Sequence, residues 1–191
     1  AEQRHQQHTL QPVDRQVLQP RIAAAAAVEQ STGFRGRGLQ GGQQDQYAAT
    51  FGGFNFMEFY ADRVIVNPLR IRKETINELE SSLLLCFTGR SRESGNIIAS
   101  QIKNVASGNT SSIQAMHQVK KDAYEMKEAL LTGNLRRFAD LLDAGWQHKK
   151  AMEHSISNQE IDHLHQFARQ HGALAGKVSG AGGGGFMMLF V

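Results

Sequence analysis

The 191-residue chain has one cysteine, one tryptophan and only three prolines. A single cysteine excludes an intrachain disulfide, and Cys86 lies in the apolar run Leu83-Leu84-Leu85-Cys86-Phe87, where it is expected to fill the core of a buried strand. No apolar stretch approaches the roughly 20 residues that cross a bilayer. The alanine run from Ala23 is too short and too weakly hydrophobic for a secretory signal, so a cytoplasmic protein without a membrane partner is expected. The net charge of +3 arises from interspersed lysines and acids and gives no reason to expect a nucleic-acid partner.

Lysine is also missing from the first part of the chain, since all eight lysines lie at Lys73 or later. Residues 1–39 hold seven glutamines and five arginines instead. Pro12, Pro20 and the Gly33/Gly36/Gly38 cluster interrupt any periodicity there, and disorder with one short helix near Ile22 to Val28 is expected. An aberrant, out-of-frame prefix would account for the change of composition. Arg35-Gly36-Arg37-Gly38 lacks the aromatic series of an RNA-binding segment, and Glu2, Asp14 and Glu29 dilute a transit-peptide pattern.

The remaining residues, about 150, suffice for one hydrophobic core. Phe54 to Tyr60 and Arg63 to Asn67 read as a hairpin, and Leu83 to Phe87 as a strand. A helix should begin near Ser94 with Ile97, Ile98 and Ile102 on one face. Ile113, Met116, Ala123, Met126 and Leu130 recur at helical spacing up to a stop at Gly133. Asn134 can cap a helix carrying Leu135, Phe138, Leu142, Gly145 and Met152. The capping box Ser157-x-x-Glu160 predicts a further helix ending at Gly172. Strands from Ala173 to Val178 and from Phe186 complete an α+β pattern.

Two glycine-rich segments carry the functional signal. Lys177-Val178-Ser179-Gly180-Ala181-Gly182-Gly183-Gly184-Gly185 places five glycines within six residues between two strands. Such a loop can turn successive N–H groups into one concavity that suits a phosphate or carboxylate. It is neither a Walker-type loop nor a dinucleotide fingerprint, because a strand follows where those motifs need a helix. In Gly41-Gly42-Gln43-Gln44-Asp45-Gln46-Tyr47-Ala48-Ala49-Thr50-Phe51-Gly52-Gly53, one carboxylate stands among neutral amides and small residues. Asp45 could act in chemistry, or stabilise the bend as an Asx turn or helix cap.

Together these segments resemble signatures of the GHMP small-molecule kinases, the superfamily of galactokinase, homoserine kinase and mevalonate kinase. The stretch from Gly41, with Asn67-Pro68-Leu69-Arg70-Ile71 and Thr88-Gly89-Arg90-Ser91-Arg92-Glu93-Ser94, is most similar to the branch acting on D-glycero-D-manno-heptose 7-phosphate. The resemblance implies an ATP- and Mg2+-dependent sugar kinase transferring phosphate to the anomeric hydroxyl, for nucleotide-heptose and surface polysaccharide synthesis. A galactose- or fucose-type sugar, or a non-catalytic sugar-phosphate-binding fragment, is the alternative.

The fold implied is a ferredoxin-like C-terminal domain over 73–191 and a remnant of a ribosomal-S5-like N-terminal domain over 40–72. Asp45 would accept or orient the hydroxyl proton. Gly42, Gln44, Gln46, Tyr47 and Arg92 would bind the substrate, Arg92 at its phosphate. Lys177, Ser179, Gly180, Ala181, Gly182, Gly183 and Gly184 would line the glycine loop beside substrate and phosphates. The two earlier family signatures, which carry the ATP-phosphate helix and the magnesium ligands, have no counterpart here. Family members also continue past the position of Val191, so both ends are expected to be cut and the chain alone to be inactive or impaired.

The histidines suggest no metal site. His148, His154, His163, His165 and His171 form no His-x-x-x-His pair, and solvated helix-surface positions are expected for them. Met116, Met126, Met187 and Met188 are expected in the core.

Overall fold

The computed structural model describes residues 44–60, 62–90 and 94–191. The order is α1 (Gln44–Phe51), β1 (Asn55–Phe59), β2 (Val64–Pro68), α2 (Lys73–Ser81), β3 (Leu83–Phe87) and α3 (Ser94–Ala106). Then follow α4 (Thr110–Thr132), α5 (Leu135–Met152), a 3-10 turn (His154–Ile156), α6 (Gln159–Gln170), β4 (Ala175–Val178) and β5 (Phe186–Phe190). It is a mixed α/β fold. The predicted prefix 1–39 lies outside the described residues.

Local chemistry sets the helix ends. The Asn109 side chain accepts from the Ser112 N–H at the start of α4, and Gly133 ends that helix at φ 75°, a left-handed turn that a residue with a Cβ adopts only under strain. Asn134 then accepts from the Arg137 N–H, so α5 starts as its sequence predicts. The helix predicted from the capping box at Ser157 starts one residue later than that box implies. Asn158 accepts from the Ile161 N–H, while Ser157 Oγ donates to Asp162 Oδ1 at 2.9 Å.

Helix α2 has no counterpart among the predicted elements. Its sequence, KETINELES, buries only Thr75 and Leu79, so its periodic signal is two residues deep.

β1 and β2 pair antiparallel, with Met57 opposite Val66. The hairpin rests on α4, where the Phe56 and Tyr124 rings lie 5.0 Å apart and Tyr124 Oη donates to Glu58 Oε1 at 3.1 Å. A second, three-stranded antiparallel sheet has the order β3-β5-β4. Here one expectation fails. β3 is an edge strand with Leu84, Leu85 and Phe87 exposed, and Cys86 is only partly buried. An unbroken apolar run predicts burial on both faces, but a strand paired on one side only need not achieve it.

Two hydrophobic clusters hold the domain. Leu79, Leu130, Phe138, Leu142, Ala175 and Phe190 join α2, α4, α5 and the sheet. Ile97, Trp146, Ile156, Ile161, Val178 and Met187 form the other, with Ala181 of the β4–β5 loop packed against it. The glycine loop thus sits on an anchored floor.

Candidate functional site

The loop between β4 and β5 is closed by the Ser179 N–H donating to Phe186 O at 2.8 Å. Alternate amides of its glycine run are held from outside. Gly183 N donates to Ile156 O at 2.8 Å and Gly185 N to Arg90 O at 2.7 Å. The glycine preceding each of them permits these approaches: a Cβ on Gly182 would stand 2.6 Å from Ile156 O, and one on Gly184 would stand 2.8 Å from Arg90 O.

The expectation that successive amides all point to a ligand is therefore corrected, because Ser179, Gly183 and Gly185 use theirs inside the protein. Among the described residues, the N–H groups of Gly180, Ala181, Gly182 and Gly184 have no backbone acceptor.

Two cations flank this loop. Lys177 leaves β4 half-buried, and burial lowers its pKa below the ordinary lysine value. Lys149 of α5 donates to the Gly180 carbonyl. Its pKa is lowered to about 7, first by burial and then by the positive charge of Lys177, against a smaller opposing influence from Asp45. Asp45 is exposed in the first turn of α1, and its charge reaches Lys149. One carboxylate, two lysines and the free loop amides therefore share one electrostatic neighbourhood. Among the described residues, neither lysine has a carboxylate within salt-bridge distance, whereas Lys150 beside them pairs with Asp162 at 3.0 Å.

Lys149 was missed by the sequence reading. Trp146 is 1% exposed, and Lys149 follows it at i+3 on the same helix face. A lysine next to a buried tryptophan was the available signal.

The other expected site residues are placed as follows. Gln44 is partly buried and Gln46 exposed on α1. The Tyr47 ring stacks on Phe51 with centroids 6.1 Å apart and meets Phe59 edge-on at 5.6 Å, fixing α1 to the hairpin. Gly42 and Arg92 lie outside the described residues. Arg90 pairs with Glu160 at 2.9 Å, with both side chains largely exposed.

The histidines depart from expectation in two cases. His165 is 9% exposed and its Nε2 lies 3.0 Å from Asp143 Oδ1. His148 Nδ1 lies 2.6 Å from Oδ2 of the buried Asp122. Aspartates on neighbouring helices supply the partners that a helical-face count cannot reveal.

Residues 126–191 match the family pattern described as GHMP kinases C terminal. The chain belongs to the GHMP kinases through this domain. It is 48% identical over 155 residues to the D-glycero-alpha-D-manno-heptose 7-phosphate kinase of Campylobacter jejuni, covering 81% of this chain and 45% of that protein. The crystal structure of a D-glycero-D-manno-heptose 1-phosphate kinase from Bacteroides thetaiotaomicron superposes with a TM-score of 0.55 at 41% identity, covering 79% of this chain and 38% of that one. An Arabidopsis thaliana bifunctional fucokinase/GDP-fucose pyrophosphorylase is 27% identical over 155 residues, covering 80% of this chain and 15% of that protein. The chain thus spans less than half the length of these relatives.

GHMP kinases use ATP with Mg2+. The described residues do not fit a magnesium ion of their own: the loop is flanked by two lysines, which favour an anion over a dication, and Asp45 is the one carboxylate whose charge acts on Lys149. No group of three or more His, Cys, Asp or Glu side chains gathers among them. No described helix is long and apolar enough to cross a membrane.

Proposed function

We propose that this chain is the C-terminal part of an ATP-dependent kinase that phosphorylates the anomeric hydroxyl of a heptose 7-phosphate. The observation that carries the reading is the contact of Lys149 with the glycine loop beside Lys177, with the charge of Asp45 acting on Lys149. The likeness to the heptose kinase supports the sugar.

The anomeric oxygen attacks the γ-phosphorus, the bond from that phosphorus to the β–γ bridging oxygen breaks, and ADP leaves. The hydroxyl proton passes to the Asp45 carboxylate and on to solvent. The loop amides and the lysines hold developing negative charge. Arg92 binds the 7-phosphate, and Gly42, Gln44, Gln46 and Tyr47 border the sugar. In this reading the three-stranded sheet and its helices form the ferredoxin-like C-terminal domain over 73–191. The hairpin belongs to a ribosomal-S5-like domain, of which 40–72 is a part. The substrates are cytoplasmic, and nucleotide-heptose synthesis for surface polysaccharide consumes the product. The chain alone is inactive or impaired, because most nucleotide and magnesium contacts belong to the earlier signatures.

Titration calorimetry with heptose 7-phosphate, L-fucose and Mg-ATP tests the reading. It expects saturable binding of heptose 7-phosphate and weak or absent binding of nucleotide. Tighter binding of L-fucose would move the substrate to the fucose class, which the Arabidopsis relative favours. Equal affinity for heptose 7-phosphate and inorganic phosphate would remove the heptose from the proposal.

A further inference from the structure

Lys149 reaches the glycine loop from α5, which packs against β4 and its Lys177, and donates to a loop carbonyl rather than to a carboxylate. Other cations nearby are already neutralised: Lys150 by Asp162 of α6 and Arg90 by Glu160 of the same helix. Among the described residues Lys149 has no carboxylate within salt-bridge distance, and a half-buried lysine without a counter-ion is costly. That cost is intelligible where an anionic ligand completes the arrangement.

The loop supplies the matching half. Among the described residues its amides at Gly180, Ala181, Gly182 and Gly184 lack backbone acceptors, while those at Gly183 and Gly185 are held by Ile156 and Arg90. Donors are therefore left on the segment whose carbonyl Lys149 contacts.

We propose that Lys149 and Lys177, with the unpaired amides of the glycine loop, form a cradle for a phosphoryl dianion, and that Lys149 moves from the Gly180 carbonyl onto the ligand when it binds. The inference rests on the kinase reading for its substrate but is tested without turnover. Lys149 is the residue added to the site. It positions the phosphoryl group, and it differs from a surface lysine in being charged only in part at neutral pH.

The charged groups acting on it are Lys177 from β4 and Asp45 from α1. On its own helix, His148 is engaged by Asp122 of α4 and Lys150 by Asp162 of α6. With a pKa of about 7, Lys149 is about half protonated at pH 7. A dianion at its ammonium restores the proton, so binding draws about half a proton from solvent.

Calorimetry on the full chain at pH 7, in two buffers of different ionisation enthalpy, measures this uptake. Inorganic sulfate is the probe, because it stays a dianion across the range. The expected result is saturable sulfate binding with uptake of about half a proton. Lys149→Met should weaken binding at least tenfold, as loss of a charge-assisted contact does, and abolish the uptake. Lys149→Arg should keep the affinity within a few-fold while abolishing the uptake, because guanidinium stays charged. Exposed Lys120→Met should change neither quantity.

No saturable sulfate binding, or binding without proton uptake, would overturn the proposal. So would unchanged affinity in a folded Lys149→Met chain, or uptake that persists in Lys149→Arg. If Lys149→Met does not fold, the arginine variant alone decides.

Heptose 7-phosphate and β,γ-methylene ATP then distinguish the source of the dianion. The ligand whose affinity falls in Lys149→Met carries the phosphoryl group held there, either the sugar's own or the transferred one. Heptose 7-phosphate and β,γ-methylene ATP both binding, with neither affected by that substitution, would sink the cradle and leave the kinase reading intact. Lys149-dependent sulfate binding without preference for heptose 7-phosphate over phosphate would do the reverse.

Discussion

Glycine at 182 and glycine at 180 are required for different reasons. Both have positive φ, 109° and 74°, but a Cβ at 180 meets nothing within 4 Å while one at 182 meets the Ile156 backbone. Gly180→Ala should therefore cost only the left-handed backbone strain, about 1 kcal/mol. Gly182→Ala should cost roughly 1–3 kcal/mol of strain and lose the loop's anchorage as well. Urea unfolding of the two variants checks the order. Lys149 gives a second expectation. Its folded pKa, about 7, lies below the unfolded value of 10.5, so between these pH values the unfolded chain binds more protons and stability rises with pH. Below about pH 7 both states carry the proton and the full cost of the buried charge is present. Lys149→Met should accordingly stabilise the chain most at pH 6, with the gap over the parent narrowing by pH 9. Urea midpoints at the two pH values test the sign. The glycine loop and Asp45 were legible in the sequence because unusual composition marks both. The Lys149–Lys177 meeting was not, since it depends on how α5 lies across β4.

The end of α4 and the start of α5 were legible to the residue, because Gly133 and Asn134 are local signals that act through backbone groups a few positions away, whereas the cap at Asn109 was missed and the helix was expected only from Ile113. The start of α6 shows how such a signal misleads. Ser157 and Asn158 both have capping side chains, and the structure uses Asn158. Asn158→Ala should cost about 1 kcal/mol, whereas Ser157→Ala, which removes an exposed side-chain contact to Asp162, should cost less. Thermal melts of the two variants separate them. Strand β3 was recognised as a strand yet misjudged in depth. Composition reports that Leu83 to Phe87 favour an extended, apolar setting, but whether a second neighbour covers them is a property of sheet order.

At the scale of the whole molecule, that edge leaves a run of large apolar side chains exposed among the described residues. Leu84, Leu85, Phe87 and Phe186 are each more than half exposed, and the Phe87 and Phe186 rings lie side by side at 5.3 Å. An apolar edge without charges favours non-specific association. Light scattering should show association growing with concentration, and Leu85→Lys should suppress it without lowering the melting temperature.

The alternate anchoring of the glycine loop has a consequence in time as well as in shape. Gly183 and Gly185 each give their amide hydrogen to a carbonyl from a different part of the chain, Ile156 after α5 and Arg90 after β3. Deuterium should enter those two positions slowly, only when the local structure opens, and enter Gly184 between them without such an opening. Within three consecutive residues, amide exchange would thus fall into a slow, fast, slow pattern. A disturbance of the His154–Ile156 turn would release Gly183 while leaving Gly185 held.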